Sequence, residues 1–191
     1  MRGQMFTVVY DACVLYPAPL RDFLMWLALS GLYRARWTEQ IHAEWKRNLL
    51  HNRPDMTREQ LDRTSALMDR AVPDALVSGH EVLVDRLALP DPDDRHVLAA
   101  AVRCNASVIV TFNLKDFPAA TLGPLGIEAM HPDVFVEDLI DLNQSAVLTA
   151  AQRQRRSLKH PPMDVDAYLD CLLRQGMVQT YKALSVYRML L

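Results

Sequence analysis

Residues 89–113, LPDPDDRHVLAAAVRCNASVIVTFN, contain a predicted turn, helix, loop and buried strand in one short stretch. Asp91 can cap the helix, and Pro92 suits its first position. Asp93 and Asp94 would then lie in the first turn, where acidic side chains complement the positive end of the helix dipole. The alanine-rich run supplies apolar positions with helical spacing, and the β-branched run SVIVT predicts a strand. A helix followed at once by a buried strand is typical of α/β proteins.

Two other segments also have the composition of strands. The run FTVVY at 6–10 is β-branched and aromatic, as expected of a strand covered on both faces of a parallel sheet. Residues 127–130 predict a last strand after the turn at Gly123-Pro124, and residues 81–84 are a further strand candidate. Strands that alternate with helices predict an α/β fold with three layers, in which helices flank a mostly parallel central sheet.

Helices are predicted between these strands. One extends over about 20–33, after two prolines, and a second begins near Thr38. A third begins at Thr57, because Thr57 and Gln60 have the spacing of a capping box. In the second helix apolar residues recur every fourth position and form one stripe, which consists of Trp37, Ile41, Trp45 and Leu49.

The pattern changes beyond about Pro132, where only helices are predicted. These helices are broken at the His-Pro-Pro sequence 160–162 and near Gly176. The sequence therefore predicts an α/β domain at 1–136 and a small, all-helical C-terminal extension at 137–191.

Charge and composition exclude several classes of protein. The 21 basic and 23 acidic residues give a formal net charge of -2, so no global positive field attracts nucleic acid. The three cysteines lie far apart without CxxC spacing, which argues against a disulfide framework or a structural zinc site. We expect a cytoplasmic protein without a membrane span, because no signal-peptide pattern is evident and charges interrupt the apolar segments.

Four acidic residues are each tied to an apolar element. Asp11 follows the first strand, and Asp116 lies just beyond the strand predicted at 107–111. Asp94 lies in the first turn of a helix, and Glu44 lies at the margin of the apolar stripe on its own helix. Because ligands collect at the carboxyl ends of parallel strands, we expect folding to bring these carboxylates together.

A cluster of carboxylates would repel itself unless it held cations. Oxygen ligands favour Mg²⁺ or Mn²⁺ over zinc, and a pair of such ions activates water and stabilises the oxygens of a phosphodiester under attack. The cluster therefore predicts nuclease chemistry. Each acid also has a local interpretation as a turn former, a helix cap or a solvated side chain. His42 and His96 are expected to be surface or packing residues, not ligands.

These motifs resemble those of the PIN-domain family, in particular the toxin ribonucleases of VapBC-type toxin–antitoxin pairs. The strand that ends in an aspartate, VVYDACVLYP, implies a metal-binding and catalytic role for Asp11. The helix WTEQIHAEWKRNL implies the same role for Glu44. In PDPDDRHVLAAA the best match to the third acid of the family is Asp94, and Asp91 or Asp93 could share its role.

The fourth motif of the family is a strand that runs into T-x-N/D, followed by an acid and a phenylalanine. Here it reads IVTFNLKDF, which implies Asn113 and Asp116 as ligands and Thr111 as a support. Many members have an aspartate at the position of Asn113, and a neutral amide would hold a second metal weakly. The resemblance covers about residues 5–136, and the later helices resemble the C-terminal helices of one subgroup.

The resemblance implies an endoribonuclease that uses Mg²⁺ or Mn²⁺ to hydrolyse RNA phosphodiester bonds. It also implies a bacterial toxin that inhibits translation, a homodimer and a cognate antitoxin protein. A protein of this net charge needs local cations to hold RNA. The candidates for these phosphate contacts are Arg21, Lys46, Arg47 and the cluster Arg153, Arg155 and Arg156.

Three alternatives differ from this interpretation. The first is a catalytically silent PIN-fold module that binds RNA or another protein, which a nuclease assay with EDTA would distinguish. A phosphatase with Asp11 as its nucleophile usually has a second aspartate two residues on, where this chain has Cys13. A receiver-type signalling domain needs paired acids after the first strand and a lysine after the last strand, and neither pattern is clear.

Overall fold

A computed structural model of the protein describes residues 5–191. Within this range the sheet has four strands, all pairs are parallel, and the order is β2-β1-β3-β4. The strands are β1 (Thr7–Tyr10), β2 (Arg34–Arg36), β3 (Val108–Val110) and β4 (Glu128–Met130). The helices are α1 (Ala12–Leu15), α2 (Ala18–Ala28), α3 (Glu39–Asn52), α4 (Arg58–Ala71), α5 (Glu81–Val84), α6 (Arg95–Arg103), α7 (Ala119–Leu122), α8 (Pro132–Ser157), α9 (Val165–Arg174) and α10 (Val178–Ser185). The predicted α/β fold class, with a parallel central sheet, flanking helices and C-terminal helices, is confirmed.

Strand β1 lies inside the sheet and pairs with both β2 and β3. Its register places Tyr10 opposite Val110 of β3. All residues of β1 and β3 are buried, which explains their nearly continuous apolar sequences. The carboxyl ends of the two strands therefore lie side by side, and Asp11 and Thr111 follow these ends directly.

The chain forms two compact units. The first contains residues 5–16 and Tyr33–His131, and with them the whole sheet. The second contains Pro17–Leu32 and Pro132–Leu191, so that α2 groups with the C-terminal helices. The predicted domain boundary at residue 136 placed α2 in the α/β domain and did not anticipate this grouping. The boundary itself stays a prediction. Among the described residues, no helix has the length and apolar character that crossing a membrane requires.

Local sequence signals set the starts of α3 and α4. The hydroxyl of Thr38 accepts a hydrogen bond from the Ile41 amide at 3.0 Å and caps α3. Thr57 and Gln60 form the predicted capping box of α4. The predicted apolar stripe is buried throughout, and it consists of Trp37, Ile41, Trp45 and Leu49. Burial of this stripe fixes the rotation of α3 about its axis, and hence the side from which Glu44 projects.

Two local predictions are wrong. Residues 81–84 were predicted as a strand and form α5, in which no side chain is buried and which pairs with no strand in the described part of the chain. A short apolar run is compatible with a helix or a strand, and residues 81–84 form a helix because they find no strand to pair with among the described residues. The helix predicted over 20–33 ends at Ala28, and Arg34–Arg36 form the unpredicted strand β2. Two arginines conceal this edge strand, since only Ala35 of β2 is buried.

A buried carboxylate joins two helices of the second unit. Asp133, in the first turn of α8, accepts hydrogen bonds from the Gln179 amide at 2.8 Å and the Thr180 amide at 2.9 Å. The Thr180 hydroxyl donates a third, also at 2.8 Å. The first amide groups of a helix have no partners within it, so Asp133 satisfies two donors at the start of α10.

Asp133→Ala is expected to lower the free energy of unfolding by about 3 kcal/mol, because it leaves buried donors without partners. Urea denaturation measures the loss, and faster hydrogen exchange of the Thr180 amide locates it. Asp138→Ala, which replaces an exposed aspartate of the same helix, is the matched control and should change stability by less than about 0.5 kcal/mol. Equal losses in the two variants would contradict the capping role.

Candidate active site

Asp11 is buried at the end of β1, with 3% of its surface exposed. Its Oδ1 accepts a hydrogen bond from the Ala12 amide at 2.7 Å, as the N-cap of α1. Its Oδ2 accepts hydrogen bonds from the Thr111 hydroxyl at 2.7 Å and from the Cys13 thiol at 3.2 Å. Burial raises the pKa of Asp11, whereas the hydrogen bonds from Thr111 and Cys13 lower it. Three donors therefore hold this carboxylate in one orientation.

Cys13 and Thr111 connect Asp11 to the end of β3. The Cys13 Sγ lies 3.4 Å from the Thr111 Oγ1 and accepts a hydrogen bond from the Phe112 amide at 3.3 Å. Burial, and next the charge of Asp11, raise the pKa of Cys13 to about 12, so it is a neutral thiol at neutral pH. The family motif implied Thr111 as a support, but no sequence pattern implied a role for Cys13. The signal that would have found Cys13 is a small polar residue two positions after a capping aspartate.

The environment of Asp94 shows that the acids converge. Asp94 ends a 3₁₀ turn directly before α6. Its pKa is raised to about 7, first by burial and then by the negative charge of neighbouring acids. In order of effect, these acids are Asp11, Asp91, Asp116 and Glu44. Because Coulomb interactions weaken with distance, Asp11, Glu44 and Asp116, from three separate parts of the sequence, must lie within electrostatic range of Asp94, as does the neighbouring Asp91.

Glu44 reaches the cluster from α3. Its side chain is 28% exposed, and its Oε2 lies 3.1 Å from the Nε2 of His96 on α6. Its charge contributes to the raised pKa of Asp11, after the larger effect of burial. Glu44 is therefore within electrostatic range of both Asp11 and Asp94.

The remaining predicted residues lie at the edge of the cluster. Asp116 is half-buried in a 3₁₀ turn, where its amide donates to the carbonyl of the exposed Asn113 at 3.0 Å. Asp91 and Asp93 are both exposed, and the Asp91 carboxylate accepts a hydrogen bond from the Asp93 amide at 2.9 Å. Asp93, unlike Asp91, is not among the charges that raise the pKa of Asp94. The ligand role of each of these residues stays a prediction.

The cluster fits a hard divalent cation in chemistry and in charge. Its ligand atoms are oxygens, and within residues 5–191 no lysine or arginine forms an ion pair with Asp11, Glu44 or Asp94. As the side chains stand, however, no three His, Cys, Asp or Glu residues of the described chain form a ready group of metal ligands. A cation would therefore have to draw the carboxylates closer together.

The predicted phosphate contacts differ in their surroundings. Lys46 donates a hydrogen bond to Asp62 at 2.7 Å, so its charge is already paired. Arg47 is exposed. Arg21 is buried in the second unit, where burial lowers its pKa, and Arg155 donates to two backbone carbonyls of that unit. Contacts between these residues and RNA stay predictions.

The two histidines that were expected to be surface or packing residues are both buried. The ring of His42 lies 2.9 Å from Asp69 and packs within the helices of the first unit. His96 instead contacts Glu44, so sequence reasoning missed its link to the cluster. The available signal was its position two residues after Asp94, on the apolar face of a helix.

Comparisons with known proteins agree with the motifs. Residues 7–115 match the PIN domain family model, and residues 132–186 match the VapC50 C-terminal domain model. A protein of Mycobacterium tuberculosis (strain ATCC 25618 / H37Rv) named Putative ribonuclease VapC50 is 46% identical over 82 residues, or 43% of this chain. The matched stretch spans about half of that relative, 48% of its length. No solved structure matches the chain.

Asp94→Asn removes one charge from the cluster and is expected to stabilise the metal-free protein at pH 8 by about 1 kcal/mol, after allowance for solvent screening. The folded-state pKa of Asp94 is raised from 3.8 to about 7. The contribution of the Asp94 carboxyl to the stability of the folded protein is therefore fully present below about pH 4 and is lost as the pH rises to about 7. Thermal denaturation should show a larger gain for the variant at pH 8 than at pH 5.

Asp93→Asn is the matched control for this measurement. It removes the charge of the adjacent, exposed residue, which does not contribute to the raised pKa of Asp94. We expect it to leave the melting temperature unchanged at both pH values. Equal stabilisation by the two substitutions would mean that Asp94 has no special position among the acids at the start of α6.

Proposed function

Because the chain belongs to the PIN-domain family, we propose that it is an endoribonuclease that uses Mg²⁺ or Mn²⁺ to hydrolyse RNA phosphodiester bonds. The observation that carries the proposal is the convergence of Asp11, Glu44 and Asp116 on Asp94, whose pKa burial and neighbouring acids raise to about 7. Each of these acids stands in one of the four family motifs. The name of the Mycobacterium relative, a ribonuclease, supports the same chemistry.

The residues of the chain would hold the oxygen ligands for this reaction. Asp11 is fixed by three hydrogen-bond donors, and Glu44 projects from a helix whose rotation is set by its buried stripe. Asp94 and Asp116 add one carboxylate each, and each lies in a 3₁₀ turn. A divalent cation held by these carboxylates would supply Lewis-acid activation of water and of the phosphodiester.

The biological role that we propose is that of the toxin in a bacterial toxin–antitoxin pair. It would inhibit translation by cutting RNA in the cytoplasm, act as a homodimer and be inhibited by a cognate antitoxin protein. The match of residues 132–186 to the VapC50 C-terminal domain supports this assignment, because it extends the likeness beyond the nuclease part. For RNA binding, Arg47 is exposed on α3, one turn from Glu44, and is the first residue to test.

A catalytically silent module that binds RNA or a protein is the second candidate. One observation favours it, namely that the described carboxylates do not already form a ready group of metal ligands. The two candidates differ in turnover, so the two measurements below separate them.

Asp11→Asn is expected to reduce cleavage of a fluorescent single-stranded RNA by more than about 100-fold, because it removes the most firmly oriented charge of the site. The amide has nearly the same shape, so circular dichroism should show an intact fold. Asp85→Asn, at an exposed aspartate of the first unit, is the control and should cleave at the wild-type rate. Undiminished cleavage by Asp11→Asn would refute the proposed site.

Removal of divalent cations is expected to abolish cleavage by the wild-type protein. Excess EDTA should stop the reaction, and added Mg²⁺ or Mn²⁺ should restore it, because the acids alone carry only repelling charges. Mn²⁺ should also raise the melting temperature of the wild-type protein, since a ligand that binds the folded state stabilises it. RNA binding without cleavage under any of these conditions would favour the silent module.

A further inference from the structure

A hydrogen bond joins His96 on α6 to Glu44 on α3. The Nε2 of His96 lies 3.1 Å from the Oε2 of Glu44, and the imidazole is 5% exposed. The two residues are 52 positions apart in the sequence, so this contact exists only because folding brings their side chains together. It brings a buried polar ring into contact with one of the four acids of the site.

The chemistry of the pair sets the direction of this bond. An ionised carboxylate only accepts hydrogen bonds, so the Nε2–H group of His96 must donate to Glu44. The Nδ1 of His96 is buried and has no hydrogen-bond partner among residues 5–191. The bond to Glu44 is thus the one described contact that determines which nitrogen of His96 carries the proton.

The Glu44 carboxylate needs such a support, because neighbouring negative charges disfavour its position in the site. The charges of Asp11 and Asp94 repel a carboxylate, and the long side chain of Glu44 is partly exposed to solvent. Within the described residues, His96 is the one hydrogen-bond partner of the Glu44 carboxylate. Without that donor, repulsion and side-chain entropy would both favour conformers in which Glu44 turns toward water.

We propose that His96 is a positioning residue that holds Glu44 toward Asp11 and Asp94 and thereby sets the affinity of the site for its divalent cation. This inference rests on the proposed function. His96 donates to Oε2, so Oε1, which makes no hydrogen bond in the described chain, is left for the cation. Residues that hydrogen-bond to a metal ligand typically change metal affinity or activity about 10- to 100-fold when they are replaced.

The first test is Mn²⁺ binding to purified protein, measured by calorimetry and by electron paramagnetic resonance. His96→Leu should weaken Mn²⁺ binding about 10- to 100-fold. His96→Gln, whose amide nitrogen can donate from nearly the same position as Nε2, should recover most of the affinity. His80→Leu is the matched control, because the ring of His80 is also buried but its two nitrogens make no hydrogen bond in the described chain. Wild-type affinity in His96→Leu would overturn the proposal.

A double-mutant cycle tests whether His96 acts through Glu44. In the Glu44→Gln background, the further change His96→Leu should cause no additional loss of Mn²⁺ affinity, because the carboxylate that it positions is absent. Cleavage by His96→Leu should also recover at high Mn²⁺ concentration, whereas damage to the fold would not be relieved by the metal. An equal loss in both backgrounds would overturn the proposal.

A third measurement does not depend on the proposed function. Long-range ¹H–¹⁵N spectra of the metal-free protein should show the His96 ring protonated at Nε2, and Glu44→Gln should shift that signal. A wild-type protein that binds no Mn²⁺ would refute the proposed function, although the spectra would still report the bond.

If His96→Leu does not fold, a comparison of His96→Gln with His96→Asn tests the proposal. The shorter asparagine cannot reach Glu44, so the His96→Asn protein should bind Mn²⁺ less tightly. Equal Mn²⁺ affinity of these two variants would overturn the proposal.

Discussion

The parallel pairing of β1 with β3 is the constraint on which the site depends. The register that sets Tyr10 opposite Val110 places Asp11 and Thr111 at adjacent strand ends, and the Asp11 amide donates to the Val110 carbonyl at 3.1 Å. Successive residues of a strand face opposite sides, so a slip of one residue would turn Thr111 away from the carboxylate. The buried, nearly uniform apolar surfaces of both strands oppose such a slip, because it would also misplace their core side chains.

Within residues 5–191, the hydrogen bonds to Asp11 and Glu44 come from groups other than lysine and arginine. Asp11 receives hydrogen bonds from a thiol, a hydroxyl and a backbone amide, and Glu44 receives one from an imidazole. A thiol, a hydroxyl or a backbone amide orients a carboxylate without cancelling its charge, whereas a lysine or arginine would compete with a metal ion. In the metal-free protein the acids therefore repel one another. The pKa of Asp94 reflects this repulsion, because it is raised first by burial and then by the charges of the neighbouring acids. Such tension is expected where function requires a locally unfavourable arrangement of charges.

The sequence predicted those features that local physics determines. The strand before Asp11, the capping box of α4 and the buried stripe of α3 follow from composition and spacing within a few residues. Strand β2 was missed because its two arginines hide an edge position, and α5 was mistaken for a strand because only the sheet decides whether a short apolar run finds a partner. Cys13 and His96 were missed for a similar reason, since each acts through a contact that packing alone creates.

Helix α6 makes two acids of the site depend on one short element. Asp94 directly precedes α6, and His96 lies in its first turn, so a shift of this helix would move one carboxylate and the support of another together. The helix contacts both β1 and β3, and its consecutive alanines Ala99, Ala100 and Ala101 are fully buried. Small side chains allow the backbone of a helix to lie close to a sheet, and larger ones there would push α6 outward. The buried alanine run therefore suits the close packing on the sheet of the helix that carries His96 and that Asp94 directly precedes.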